Sequence, residues 1–268
     1  MTRTFALCAD DFGLSPGIDR AILDLAERGR LSAVSCMTGA AQWRTDAAAL
    51  VKLHDKVDIG LHLTLVDERP LTAMPHHTPN GVMPGITALI LRSHLGLLPR
   101  DEIRAEIAAQ FDAFEAATGF VPDHIDGHLH THVLPGVRDL VLELARTRAP
   151  KAWLRNVTEP ISRLAGRASA GKAMVLNILG RRFETDPALA HAGNQGFSGL
   201  SSFDPAANYA HDFEKFVADI GPRHLVMCHP SSGDAQSRAN EYRFLGSDEF
   251  PALLARRGLS LARWSRAA

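Results

Sequence analysis

Asp10 and Asp11 stand side by side in the stretch Ala9-Asp10-Asp11-Phe12-Gly13, and adjacent carboxylates repel one another unless a cation takes up the charge. One carboxylate can then ligate a metal while its neighbour takes a proton from water held there. Imidazoles that could complete such a centre recur in comparable contexts: His62 in Gly60-Leu61-His62-Leu63-Thr64, His128 within the run His124 to His132, and His229 after Leu225-Val226-Met227-Cys228. Two histidines, one aspartate and an open position for water suit a catalytic divalent ion. If the run after Gly127 were extended, His128, His130 and His132 would share a face, whereas a helical turn would align only His128 and His132. Either way His128 and His132 are expected on a common side. Of the 13 histidines, His54, His76, His77, His94, His191 and His211 read as packed or solvent-facing. Cys228 and Met227 read as core.

The elements that must position these groups follow a β-α-β-α rhythm. Phe5 to Ala9 is a short apolar run of the buried-strand kind. Ser15 and Pro16 then stand as N-cap and first residue of a helix to Arg28, which Gly29 closes. Ser32 to Met37 and Val57 to Leu65 read as further strands around a helix at Ala47 to Leu53, the order of a parallel sheet with crossover helices. In such folds the C-terminal ends of the strands gather on one edge, where ligands and catalytic groups collect. Asp10, Asp11, His62, His128 and His229 each fall at or near such an end.

The rest of the chain is less regular. Val66 to Gly85, with Pro70, Pro75, Pro79 and Pro84, is a long loop of the kind that often forms a binding edge. Helices are expected at Ile86 to Leu97, Arg100 to Thr118 and Pro135 to Arg146, with a strand at Ala152 to Arg155. A basic helix at Ser162 to Arg182 precedes a glycine-rich strip, Gly193 to Gly199, whose glycines would let backbone approach a ligand. Ala206 to Ile220 and Asp248 to Arg257 read as helices, with a strand at Arg223 to Cys228 between them. Leu259 to Trp264 closes the chain. With no repeat or linker, residues 1–268 are expected to form a single domain.

Composition narrows the function classes. A formal net charge of -1 offers no electrostatic case for nucleic acid or an anionic membrane, and a small neutral substrate suits it better. Cys8, Cys36 and Cys228 lie in apolar runs without a disulfide spacing and read as reduced core residues. The N-terminus runs directly into the first strand, which leaves no room for a secretory signal, and the apolar segments are too short or too interrupted to span a bilayer. A cytoplasmic location is expected.

The chain resembles the YdjC-like family of carbohydrate deacetylases, which includes bacterial chitooligosaccharide deacetylases and hopanoid-associated members. The likeness rests on Ala9 to Ser15, Gly60 to Leu63, Pro70 to Pro75, His124 to His132, Gln195 to Ser198 and Met227 to Pro230. It departs at Cys8, where members often have Asn, and at His128-Leu129-His130, where a third His or a Lys is common at the middle position. The resemblance implies a distorted (β/α) barrel, TIM-barrel-like and akin to NodB-type polysaccharide deacetylases. It implies one divalent ion, magnesium or zinc, held by Asp11, His62 and His128, with Asp10 as general base and His229 as protonated general acid. The implied substrate is a small N-acetylated saccharide or glycoconjugate, with a homodimer left open. On that footing Asp126 or Arg155 would orient the site. Val66 to Gly85 and Gly193 to Gly199 would wall the sugar, and Trp153 or Phe197 would stack on it. A phosphoesterase with more metals on a similar barrel and a non-catalytic saccharide-binding protein are the rival readings.

Overall fold

In the computed structural model, strand β1 (Arg3–Phe12) is the spine of one parallel sheet, and it is buried from Phe5 onward. The structure describes residues 2–158, 193–233 and 235–265; the basic helix expected at Ser162 to Arg182 lies outside them. Parallel strands covered on both faces read as continuous apolar runs rather than alternating ones, which is why Phe5 to Ala9 was legible. Following β1 are helix α1 (Pro16–Glu27), β2 (Ala33–Cys36), α2 (Trp43–Val51), β3 (Asp58–Leu63), α3 (Ile86–His94), α4 (Arg100–Thr118) and β4 (His124–Gly127). A 3-10 turn (His128–Val133) leads to α5 (Val137–Arg148), β5 (Trp153–Leu154), β6 (Gly196–Ser198) and α6 (Tyr209–Phe216). The chain ends with β7 (His224–Cys228), α7 (Gln236–Gly246), α8 (Glu249–Arg257) and β8 (Leu259–Leu261).

The strand order is β5-β4-β3-β2-β1-β7-β6, with β8 pairing beside the start of β1. All pairings are parallel, so the expected distorted barrel is present, with β5 and β6 at the two ends of the described sheet. Asn194 spans those ends: its Oδ1 accepts from the Asn156 N–H at 2.7 Å, while its Nδ2 donates to the carbonyls of Asn156 at 2.6 Å and Gly196 at 2.9 Å. One side-chain amide thus supplies what a strand ladder would.

Register decides which residues meet. Ala9 pairs with Cys228, which puts Asp10 next to His229, and His62 pairs with Asp126, which puts His128 two residues beyond that pair. Gly60 is required by close approach, since a Cβ there would lie 2.3 Å from the His124 ring on the neighbouring strand.

Helix α1 begins as expected, with Ser15 Oγ accepting from the Ile18 N–H at 3.3 Å and Pro16 in the first turn. Helix α4 spans the expected Arg100 to Thr118 and is closed by Gly119 in the left-handed region. The loop from Val66 to Gly85 is present and is pinned to α4. Glu106 accepts from the N–H groups of Leu71 and Thr72, and Glu102 from that of His77. Helix α7 was not expected from sequence, because Gln236–Gly246 is a largely polar stretch.

Candidate active site

Successive residues on a strand point to opposite faces, so Asp10 and Asp11 could not both face one cavity on a regular β1. The ladder between β1 and β2 is irregular between Ala9 and Phe12, and Asp11 sits at φ 72°. An irregularity of this kind re-aims a side chain next to an active site, and both carboxylates line the same cavity of about 500 Å³. Strand order does the rest, bringing His62, His128 and His229 to that cavity as well.

Asp11 Oδ1 lies 2.9 Å from His128 Nδ1 and 3.4 Å from His62 Nε2. One donor atom from each of these residues falls within 4.8 Å of the others, a spacing at which they could hold one metal ion. Burial alone would push the Asp11 carboxyl up, but the hydrogen bonds from His128 and His62 hold it well below the usual carboxylate range. Burial would likewise push the His62 imidazole down, but Asp126 and Asp11 outweigh that and raise it to about 10. The point where the three donors converge therefore attracts positive charge, and two imidazoles with one carboxylate facing an open cavity are the donor set of a catalytic divalent site.

His62 is fixed from behind. Its Nδ1 lies 2.6 Å from Asp126 Oδ1, the carboxylate-to-imidazole contact that orients metal-binding histidines and sets their tautomer. Asp126 Oδ2 accepts from Ser35 Oγ at 2.6 Å and pairs with Arg155 at 2.5 Å. Burial is again outweighed, by Arg155 and His62, and the Asp126 carboxyl is held well below its usual range. Arg155 is fully buried and also grips both oxygens of Asp10 at 2.6 Å. An ionised carboxylate has about four lone-pair positions, so Asp10 keeps acceptor capacity for water. Of the two candidates for orienting the site, Asp126 contacts His62 and Arg155 contacts both Asp10 and Asp126.

His229 Nε2 is 3.9 Å from Asp10 Oδ2. Burial pushes its imidazole down to about 4, against the opposing pull of Asp11 and Asp10. Burial therefore disfavours its charged form in the resting site, and a role as general acid asks it to gain a proton during the reaction.

His128 and His132 do not share a side. Leu129 and His130 both adopt left-handed backbone, at φ 50° and φ 59°, which breaks both strand alternation and helical alignment. His128 turns toward Asp11, whereas His132 Nε2 lies 3.0 Å from the Arg155 carbonyl oxygen. His130 lines the cavity and packs edge-on against Phe197.

The expected sugar-contacting residues are also displaced. Trp153 is buried between His124 and Trp264, and Phe197 is 1% exposed, so neither ring offers a face to a ligand. The cavity walls come instead from residues just beyond the two expected stretches, Ile86 and Ile90 of α3 and Leu200, Ser201 and Phe203.

Two functional neighbours escaped the sequence reading. Arg238 NH2 donates to Asp11 Oδ2 at 2.6 Å, and Glu241 Oε2 accepts from the His229 backbone N–H at 2.6 Å. Both belong to α7. Their spacing of three residues within a polar segment was the available signal.

Two other groups of donors satisfy the same spacing, Cys8 with His124 and Asp126, and Asp10 with His62 and Asp126. The first is closed to solvent and capped by Ser35 and Arg155, and the second already holds the Arg155 guanidinium. Among the described residues, the Asp11 group is the one that opens on the cavity with a carboxylate oxygen left to its two imidazoles, since Arg238 occupies only Asp11 Oδ2.

A profile of the YdjC-like protein family matches residues 4–256. The chitooligosaccharide deacetylase of Yersinia pestis is 28% identical across 97% of this chain and 98% of its own length. Among solved structures, a putative cellobiose-phosphate cleavage protein from Enterococcus faecalis superposes with a TM-score of 0.73 at 20% identity, covering 98% of both chains. The family 4 carbohydrate esterase from Streptomyces lividans shares the fold at TM-score 0.51 and 12% identity, over 99% of this chain and 95% of that one. The Bc1960 peptidoglycan N-acetylglucosamine deacetylase does so at TM-score 0.54 and 10% identity, over 97% and 85%.

Proposed function

This chain belongs to the YdjC-like family, and from that membership we propose that it hydrolyses the acetamide of an N-acetylated saccharide, giving acetate and a free amine. The observation that carries this reading is the meeting of Asp11, His62 and His128 on one cavity with Asp10 and His229 beside them. The names of its chitooligosaccharide deacetylase relatives agree with it. A non-catalytic binding protein has no need of a carboxylate base and an imidazole set 3.9 Å apart.

Asp11, His62 and His128 would hold one divalent ion, magnesium or zinc, which polarises the acyl oxygen and acidifies water. Asp10, clamped by Arg155, accepts the proton of the attacking water. The amide nitrogen leaves poorly as an anion, so it must be protonated. His229 receives that proton from Asp10 by way of one bridging water, their 3.9 Å separation being too long for direct transfer, and passes it to the amine. Asp126 keeps His62 in the tautomer that presents Nε2 to the cavity. The apolar walls from α3, Leu200 and Phe203 suit the acetyl methyl and the carbon faces of a pyranose.

The whole chain is proposed to act as one domain. No described helix is long and apolar enough to cross a membrane. Three buried, free cysteines suit a reducing compartment, and the cytoplasm is the proposed location.

An acetate-release screen over N-acetylglucosamine, chitobiose and longer chitin oligomers tests the reading, with and without chelation and metal return. Activity should switch off and on with the metal, and indifference to chelators would contradict it. Asp10→Asn should keep metal and lose turnover by roughly 1,000-fold, within the range for removing a general base. His128→Ala should lose metal and turnover together.

A further inference from the structure

Helix α7 reaches both halves of the centre from one face. Arg238 and Glu241 are three residues apart and therefore neighbours on the helix surface. Arg238 NH2 donates to Asp11 Oδ2 at 2.6 Å, leaving Oδ1 as the oxygen that faces His62 and His128. Glu241, 1% exposed, accepts from the His229 N–H, and the hydroxyls of Tyr209 and Ser201 lie near enough to favour its charged form. We propose that Arg238 and Glu241 are positioning residues of this site: Arg238 confines Asp11 to ligation through one oxygen, and Glu241 fixes His229 relative to it.

Several features separate this role from ordinary helix packing. Asp11 already sits at φ 72° where the β1 ladder is irregular, so its carboxylate needs an outside restraint to face one way. Arg238 supplies the charged, directional partner. His229 follows the last residue of β7 and has no ladder partner among the described residues, and its N–H is taken by a buried carboxylate. The Arg238 carbonyl also accepts from the Ser231 N–H at 3.2 Å, tying the loop after His229 to the same helical turn.

The inference rests on the proposed metal reading, and the test separates the two. Full-length wild type, Arg238→Ala, Arg238→Gln, Glu241→Ala and Glu241→Gln are titrated with Co²⁺ by calorimetry and visible absorption. Each is then assayed for kcat and KM in acetate release. Both Arg238 variants should bind Co²⁺ roughly tenfold more weakly, as is typical when a partner of a ligating group is lost, with an altered visible spectrum as Asp11 turns its second oxygen to the ion. Glu241→Ala should keep the wild-type spectrum and KM and lose kcat by roughly 100-fold. Glu241→Gln, which still offers an acceptor, should recover kcat to within about threefold of wild type. Arg238 variants with wild-type spectrum, or with equal or tighter affinity, overturn the first assignment. Glu241→Ala with normal kcat, or no recovery in Glu241→Gln, overturns the second. Wild type that binds no Co²⁺ refutes the metal reading itself.

Discussion

The two carboxylates on either side of His62 have opposite fates. Asp126 faces His62 Nδ1 at 2.6 Å and is enclosed, with Ser35, Arg155 and His62 all directed at its oxygens. Asp11 faces His62 Nε2 at 3.4 Å and keeps one oxygen toward a cavity. Each has an imidazole within reach, and each belongs to a group of donors close enough for a metal. Proximity therefore does not decide which is a ligand site. Access does, together with whether a protein cation has already taken the charge. Arg155 takes it at Asp126 and Asp10, whereas Arg238 takes only the second oxygen of Asp11.

The comparison breaks most visibly at Arg155. Arg155→Ala would strand the buried carboxylates of Asp10 and Asp126 and should cost about 3–5 kcal/mol of stability, measured by urea unfolding. A loss below about 1 kcal/mol, the scale of an exposed ion pair, would mean that the enclosed cluster is not held by this cation.

A smaller effect concerns Glu241, whose carboxyl burial pushes up to about 7, against the hydrogen bond from His229 and the charge of Arg238. Because the folded value lies above the ordinary 4.5, the stability it contributes is complete below pH 4.5 and lost as pH rises through about 7. Glu241→Gln should flatten that decline and leave the variant more stable than wild type at pH 8 by up to about 3 kcal/mol. Thermal unfolding from pH 4 to 8 reads it, and parallel curves for the two proteins would refute it. Smallest is Ser35→Ala, which removes the hydroxyl between Asp126 and His124. It should cost about 1–2 kcal/mol and leave metal affinity nearly unchanged, since Ser35 reaches the site only through Asp126, whose other oxygen still holds His62. A large loss of metal in that variant would merge the two regions.

Much of this centre was legible in the sequence because parallel strands end where chemistry collects. The apolar runs before Asp10 and before His229, and the Gly60 to Thr64 segment, each marked a strand end whose polar residue had to face that edge. What failed depended on backbone that leaves the regular periods. Two consecutive left-handed residues, Leu129 and His130, undo any face assignment in the histidine-rich run, and no pattern of residue types announces them. Arg238 and Glu241 look like surface charges because Gln236–Gly246 has so little apolar periodicity. Trp153 and Phe197 resemble sugar-stacking platforms by type, but they sit on strands packed inside the barrel.

The most direct test is an anomalous difference map from crystals of the full chain grown with Co²⁺. The account predicts a single strong peak bonded to Asp11 Oδ1, His62 and His128, with Asp10 and His229 unligated beside it. A peak at Cys8, His124 and Asp126, or one bonded to Asp10 in place of Asp11, would contradict it.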